Sequence, residues 1–95
     1  MFIVSLTYTK PIEEVEKYFE AHLVFLNTNY SAKKFIVSGR KNPRTGGIIL
    51  AHHSTLDELQ EIIKDDPFYQ NQVADYEIIE FIPTKFDEDF EKFIG

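Results

Sequence analysis

The sequence predicts an α+β fold in which four strands and two helices follow one another in the order βαββαβ. Three observations predict it. Residues 2–8 repeat with a period of two, apolar residues recur every three or four positions within 12–26 and 56–63, and a turn cluster at 42–47 separates two short apolar runs. This order is that of the split βαβ, or ferredoxin-like, arrangement: a four-stranded antiparallel sheet with two helices on one face.

Composition favours one domain spanning residues 1–95 and excludes several classes of function. Hydrophobic residues make up 43% of the chain and the formal net charge is −6, which suits a compact core and opposes binding to nucleic acid. The sequence has no cysteine, so disulfides and Cys-based metal sites are excluded. It shows no basic leader and no apolar run near the ~20 residues of a membrane span, so we expect a cytoplasmic protein with no membrane partner.

The first strand covers residues 2–8, and the first helix begins near Pro11. Proline is favoured at the first helical position, where its missing amide hydrogen costs nothing. The apolar side chains that follow have helical spacing, and His22 lies in line with them on the stripe that should be buried. We expect this helix to end at 27–29, because the short polar side chains there compete with helical backbone bonding.

The middle of the chain predicts a hairpin followed by a second helix. Residues 35–37 and 48–51 are the two hairpin strands, joined by the turn cluster. Ser54 and Thr55, with an acidic residue three positions later, predict a capping box at the start of the second helix.

A corner at Asp66 and Pro67 ends that helix. Proline lacks an amide hydrogen and disfavours a helical residue before it, so the helix must end at or before Asp66. With Asp66 as N-cap and Pro67 at the first position, a second short helix over 68–73 should start at an angle to the first. The neighbouring Asp65 is expected to be solvated.

Residues 76–83 predict the last strand, and residues 84–95 form a C-terminal tail. Phenylalanines in the tail recur at positions i, i+4 and i+7, which predicts a short amphipathic helix with Thr84 and Asp87 as a capping box. The pattern leaves open whether the tail docks on its own subunit or crosses to a partner.

The second, third and fourth strands carry apolar residues at consecutive positions, whereas a sheet with one wet face should alternate. Both faces should therefore be covered. Since the helices cover only one face, we predict a homodimer in which the other face packs on a second copy of the sheet.

His22 and Asp66 are the candidate functional pair. We expect the first and third strands to run parallel and both helices to end at one edge of the sheet, with His22 about 15 Å along its helix. A carboxylate bonded to one ring nitrogen fixes the tautomer and leaves the other nitrogen free for general acid–base work. Two structural interpretations compete: His22 can be a satisfied core residue, and Asp66 can be an N-cap. The N-cap role is compatible with the pairing to His22, because a carboxylate has two oxygens and several acceptor positions.

His52 and His53 are adjacent at the end of a strand and should point to opposite faces, which disfavours a shared metal ion. No nucleophile elbow, P-loop or dinucleotide fingerprint is present. We therefore expect no metal site and no cofactor. A cluster of cationic residues around the hairpin either protects its edge in solvent or steers a small anionic ligand. The cluster consists of Lys33, Lys34, Arg40, Lys41 and Arg44.

The motifs at 21–23 (Ala-His-Leu), 38–39 (Ser-Gly), 65–68 (Asp-Asp-Pro-Phe) and 76–78 (Tyr-Glu-Ile) together resemble the YciI-like, or YCII-related, proteins over nearly the whole chain. The resemblance implies a dimeric α/β-barrel-type ferredoxin-like fold and an active site built on the histidine and aspartate that match His22 and Asp66. A few such proteins are linked to dehydrohalogenation or related steps on hydroxylated aromatic rings.

Two residues near these motifs bear on the ligand. Many relatives have an arginine where this chain has Phe19, and Arg40 is the candidate to replace it. We assign ligand binding to the motif residues Ser38, Gly39 and Phe68 together with Arg40.

Three functions fit these residues. The first is a cofactor-free lyase or isomerase in which His22 moves a proton on a small cyclic or aromatic substrate and Asp66 orients it. The second is a non-catalytic dimeric module that binds a small anionic or aromatic ligand, with Lys33, Lys34 or Arg40 at the pocket mouth. The third is an interaction module in which both residues are structural.

Overall fold

The structure, a computed structural model, describes residues 1–94. Its elements are β1 (Phe2–Tyr8), α1 (Ile12–Glu16), α2 (Phe19–Ser31), β2 (Phe35–Arg40), β3 (Gly46–Ala51), α3 (Leu56–Ile63), α4 (Pro67–Gln70), β4 (Ala74–Glu80) and a C-terminal 3₁₀ helix (Glu88–Phe93). The strand order is β2-β3-β1-β4 and every neighbouring pair is antiparallel. The predicted ferredoxin-like fold is confirmed.

The helices pack on one face of the sheet, the inner face, and form the core there. Phe2, Val4 and Leu6 of β1 are buried, as the period of two predicts. Val4 lies opposite Ile49 of β3 and Ile78 of β4, so the three side chains share the inner face. The helices add Val15, Phe25, Leu59, Ile63 and Phe68 to this core.

The outer face of the sheet carries exposed apolar side chains. Val37, Ile48 and Ile79 are 55%, 37% and 47% exposed. They alternate with residues of the inner face, because Ile48 and Ile79 pair with Ser5 and Ile3 of β1, between the buried positions of that strand. No described helix covers this face.

The predicted first helix is interrupted and longer than expected. It divides into α1 and α2 at Lys17 and Tyr18, and Tyr18 leaves the helical region with ψ near 6°. The polar residues expected to end it do not, because Thr28 Oγ1 donates to the Val24 carbonyl at 2.9 Å and the Asn29 side chain donates to the Phe25 carbonyl at 2.9 Å. Their side chains are thus satisfied within the helix, which ends at Ser31.

The predicted capping box at Thr55 and the predicted N-cap at Asp66 are confirmed. Thr55 and Glu58 form the capping box of α3, with Thr55 Oγ1 accepting from the Glu58 amide at 3.1 Å. α3 ends at Ile63, and Asp66 is the N-cap of α4 with Pro67 at its first position. α4 is a single turn, shorter than the predicted 68–73.

The last strand and the tail differ from the prediction. β4 begins earlier, at Ala74, and ends at Glu80, which pairs with the first residue of β1. The tail forms a 3₁₀ helix over Glu88–Phe93, capped by Asp87 accepting from the Asp89 amide, so the predicted Thr84–Asp87 capping box is wrong. In this structure the tail lies against its own chain, where the Phe93 carbonyl contacts His52.

No helix within residues 1–94 is long and apolar enough to cross a membrane.

Candidate active site

Two helix ends meet where His22 and Asp66 lie. We expected β1 and β3 to run parallel and both helices to end at this edge, but β1 and β3 are antiparallel. Because each helix connects parallel strands and returns against them, α2 and α3 run in opposite directions. The start of α2 therefore lies beside the end of α3. His22 reaches Asp66 because the break after Lys17 restarts the helix at Phe19, one turn before His22.

His22 and Asp66 form a buried pair. Nδ1 of His22 lies 2.8 Å from Oδ1 of Asp66. Asp66 is fully buried and His22 is 8% exposed. The sequence prediction that these two residues come together, 44 positions apart, is confirmed.

Three groups donate to the Asp66 carboxylate. Oδ1 accepts from the Phe68 amide at 3.0 Å as well as facing His22, and Oδ2 accepts a short hydrogen bond from the Tyr76 hydroxyl. A carboxylate can only accept hydrogen bonds, so the proton between the two side chains belongs to Nδ1 of His22. Nδ1–H therefore donates to Asp66. The N-cap and the histidine partner are thus two roles of one side chain.

Tyr76 is a site residue that sequence reasoning missed. Burial of its hydroxyl raises the pKa of Tyr76 far above the ordinary value, and the negative charge of Asp66 raises it further. The phenol therefore stays protonated and remains a donor. The available signal was the strand period: Tyr76 lies opposite Leu6 in β1, on the inner face of the sheet.

The Phe68 ring fixes the plane of the His22 imidazole. The two rings are stacked, with centroids 4.0 Å apart and planes inclined by 7°. The Phe25 ring lies farther away, with its centroid 6.0 Å from that of the imidazole. Phe68 thus supplies both an amide to the carboxylate and an apolar face to the imidazole, so α4 positions the pair as one unit.

Nε2 of His22 is the free nitrogen of the pair. It has no hydrogen-bond partner within residues 1–94. Every buried side-chain nitrogen or oxygen atom in that part of the chain does have a partner, so Nε2 is not one of the buried atoms. Nε2 is therefore accessible. His22 lines a cavity of about 330 Å³ between α2 and the β2–β3 hairpin, so Nε2 is available to a ligand there.

The cavity walls are apolar and aromatic, with cations near the hairpin. The lining side chains include Tyr8, Phe19 and Phe68, and the cations are Arg40 and Arg44. No carboxylate lines the cavity within the described residues. The other lining residues are Leu6, Leu23, Leu26, Ser38, Gly39, Gly46, Gly47, Ile48 and Ile49.

All four residues assigned to ligand binding lie at this cavity. Ser38, Gly39 and Arg40 approach from the end of β2, and Phe68 from α4. Lys33 and Lys34, expected at the pocket mouth, are not among its lining residues. They precede β2, at the opposite end of that strand from Arg40.

Arg44 takes a position that sequence reasoning did not assign. Its guanidinium carbon lies 6.0 Å from the centre of the Phe19 ring, and Nη1 lies 3.5 Å from Oε1 of Glu16. The ring and the carboxylate together orient the guanidinium beside the cavity. The cavity therefore has a guanidinium group next to the Phe19 ring.

The expected divergence of His52 and His53 is wrong. Their rings lie beside each other, with centroids 3.7 Å apart. His53 has φ 54°, so the backbone leaves the extended conformation directly after the strand and the alternation rule no longer applies. Within residues 1–94, no group of three or more histidine and acidic side chains is arranged to hold a metal ion.

Replacing Tyr76 with phenylalanine is expected to lower the free energy of unfolding by about 1–3 kcal/mol, since Oδ2 of the buried Asp66 loses its donor. Urea unfolding of the variant measures the loss. Tyr69→Phe is the matched control, because Tyr69 packs edge-on against Tyr76 but is 44% exposed. Equal stability of the two variants would show that the hydroxyl contributes nothing to the site.

Comparison with known proteins matches both the sequence and the fold. The family model of the YCII-related domain matches residues 1–82. A solved structure of 5-chloro-2-hydroxyhydroquinone dehydrochlorinase from Burkholderia phenoliruptrix, in complex with 2,5-dihydroxybenzoquinone, is similar to this chain with a TM-score of 0.71. The similarity covers 85% of this chain and 93% of that chain at 17% sequence identity, which establishes the shared fold. None of the curated proteins compared matches the sequence.

Proposed function

Since the chain belongs to the YCII-related domain family, we propose that it is a small cofactor-free enzyme of the lyase or isomerase type, acting on a small cyclic or aromatic substrate. The observation that supports this most directly is the buried His22–Asp66 pair, 2.8 Å apart, beside a cavity of about 330 Å³. A general base needs a fixed tautomer, a charged partner and one accessible nitrogen. His22 has all three.

The proposed proton transfer uses Nε2 of His22. Nε2 accepts a proton from the substrate, and the imidazolium that forms is stabilised by the carboxylate of Asp66. In an isomerisation, the same nitrogen returns the proton to another atom of the substrate. In an elimination, the electron pair left behind by the proton forms a new double bond, the leaving group departs with the electron pair of its own bond, and His22 holds the proton.

The cavity suits a flat substrate that carries negative charge. Phe19 and Phe68 provide aromatic surfaces, and the two arginines can bind an ionised hydroxyl or carboxylate. The structurally similar dehydrochlorinase is named for a chlorinated, hydroxylated ring. Removal of HCl from such a ring requires a proton acceptor, which is the role we give to His22.

A substrate screen tests this proposal. The protein is incubated with 5-chloro-2-hydroxyhydroquinone and a panel of small hydroxylated rings and lactones, and chloride release and ultraviolet absorbance are followed. We expect turnover of at least one compound that depends on His22. Absence of turnover from the whole panel, together with binding that does not depend on His22, would contradict the proposal.

A second candidate is a non-catalytic module that binds a small anion. Arg40 and Arg44 favour it, because both line the cavity, and of the two only Arg44 forms an ion pair within residues 1–94, with the exposed Glu16. In that case, binding of the screened compounds falls with rising salt and with loss of either arginine, but it tolerates replacement of His22.

We also propose that the protein is a homodimer packed through the outer face of the sheet. Val37, Ile48 and Ile79 are exposed there, and burial of apolar surface is the main driving force of association. Sedimentation at micromolar concentration is expected to give twice the monomer mass.

Replacing Ile79 with aspartate should weaken the dimer at least about tenfold, because an unpaired charge would be buried in the interface. Val24→Asp is the control, since Val24 is 65% exposed on α2, on the helical side of the molecule. A monomeric native protein, or equal sedimentation of the two variants as dimers, would count against this interface.

A further inference from the structure

A second cavity lies at the other end of the β2–β3 hairpin. Its volume is about 580 Å³, and it lies between the start of β2, the end of β3 and the C-terminal 3₁₀ helix. Tyr30 lines this second cavity, and Ser38 lines the first. Their hydroxyl groups share a hydrogen bond of 2.7 Å. This hydroxyl pair lies between the two cavities, so the second is a separate site.

The side chains around the second cavity are basic. Lys33, Lys92, His52 and His53 line it, and no acidic side chain does so within the described residues. Neither of these lysines forms an ion pair with residues 1–94, whereas the nearby Lys34 lies 3.9 Å from Glu58. Both ammonium groups are therefore available to an anion, while the 3₁₀ helix that carries Lys92 also carries three acidic residues.

His52 forms the rigid wall of the cavity. It is buried, and Nδ1 donates to the Phe93 carbonyl at 3.0 Å, which holds the 3₁₀ helix in place. Burial lowers its pKa and keeps the imidazole neutral near neutral pH. The fixed positive charges at this cavity are therefore the ammonium groups of Lys33 and Lys92.

The remaining walls are aromatic. Tyr30 and Phe35 pack edge to face, with ring centres 6.1 Å apart, and Phe93 packs against His52 with ring centres 5.8 Å apart. The Lys92 ammonium lies 5.1 Å from the centre of the Phe93 ring, so one cation and one aromatic surface are adjacent. A ligand that matches both features has a flat apolar body and an anionic head group.

We propose that this cavity is a second ligand site, which binds a small aromatic carboxylate with the carboxylate at Lys33 and Lys92 and the ring against Phe93. The site does not depend on His22 or on the proposed reaction. A free inorganic anion would gain only the charge contacts and none of the aromatic ones. Contact between the ligand ring and Phe93 should therefore make an aromatic carboxylate bind more tightly than an inorganic anion.

NMR titration with benzoate tests the proposal on the full chain. We expect saturable shifts at Tyr30, His53 and Phe93, with a Kd on the order of 1 mM. Benzyl alcohol, which keeps the ring without the charge, and inorganic phosphate, which keeps the charge without the ring, should both bind more weakly. Raising the ionic strength from about 0.01 M to about 0.15 M should weaken benzoate binding, because the Debye length falls from about 30 Å to about 8 Å.

Lys92→Ala should weaken benzoate binding roughly two- to fivefold, the range for one partly exposed charge. Lys85→Ala is the matched control, an exposed lysine of the tail that does not line the cavity. The proposal is overturned if benzoate shifts only residues of the first cavity, if phosphate binds as tightly as benzoate, or if the two lysine variants bind it equally.

Discussion

Replacing Asp66 with alanine is expected to lower the free energy of unfolding by about 3–5 kcal/mol, because several buried donors lose their acceptor at about 1–3 kcal/mol each. The side chain is fully buried and accepts from Nδ1 of His22, the Phe68 amide and the Tyr76 hydroxyl. Alanine leaves these donors without an acceptor and removes the N-cap of α4. Urea unfolding, analysed by linear extrapolation, measures the loss.

Two further variants make this result specific. Asp65→Ala removes an exposed neighbouring carboxylate and should change stability by no more than about 0.5 kcal/mol. Asp66→Asn keeps one acceptor oxygen at the same position and should fall between the two alanine variants. If Asp66→Ala were as stable as Asp65→Ala, the carboxylate would have no structural role, and the buried network described above would be wrong.

The corner at Asp66 could be predicted because its causes are local. Pro67 has no amide hydrogen, so it must either end a helix or begin one, and the aspartate before it is a preferred N-cap. The capping box at Thr55 could be predicted for the same reason, because it involves only Thr55 and Glu58. Each depends on residues within three positions of one another, so neither requires knowledge of the tertiary fold.

The break between α1 and α2 had no local signal. Neither glycine nor proline occurs there, and the apolar spacing runs through it from Val15 to His22. The structure buries Val15 completely and packs Tyr18 against the core, so tertiary packing decides where the helix is interrupted. Helix propensity is a weak preference that packing of this kind overrides.

The pairing of His22 with Asp66 was predicted correctly from a premise that was partly wrong. An uninterrupted helix and parallel β1 and β3 would place the two helix ends at one edge. Antiparallel helices instead put the start of α2 beside the end of α3, and the break puts His22 at that start. The buried stripe of α2 faces the sheet in both cases, which is why the conclusion survived.

Tyr76 shows the limit of reasoning about strands from runs of apolar residues. We grouped the apolar residues of β4 by adjacency, which predicted two covered faces but did not assign individual side chains to a face. The register with β1 makes that assignment, because Tyr76 pairs with the buried Leu6. Register is a relation between two strands, so it could be assigned only once the pairing of β4 with β1 was known.

His22→Asn is expected to lower kcat/KM by about 10²–10⁴-fold for any substrate found in the screen, the usual contribution of a general acid–base group. The asparagine amide nitrogen can occupy the position of Nδ1 and donate to Asp66, so the buried carboxylate keeps its partner. Asparagine has no atom at the position of Nε2, the nitrogen that we propose carries the proton. The variant therefore separates the structural bond of the imidazole from its chemical role.

Asn27→Ala is the matched control, because Asn27 is exposed on the same helix and does not line the cavity. Its activity should equal that of the native protein. A folded His22→Asn variant with kcat/KM within a few fold of this control would eliminate His22 as the proton carrier and leave anion binding as the better explanation of the cavity. Loss of activity counts as evidence only if the variant is folded, so the thermal unfolding of each variant is measured together with its activity. Since the bond to Asp66 is retained in His22→Asn, we expect it to remain folded at the assay temperature, and the loss of turnover is then assigned to Nε2 alone.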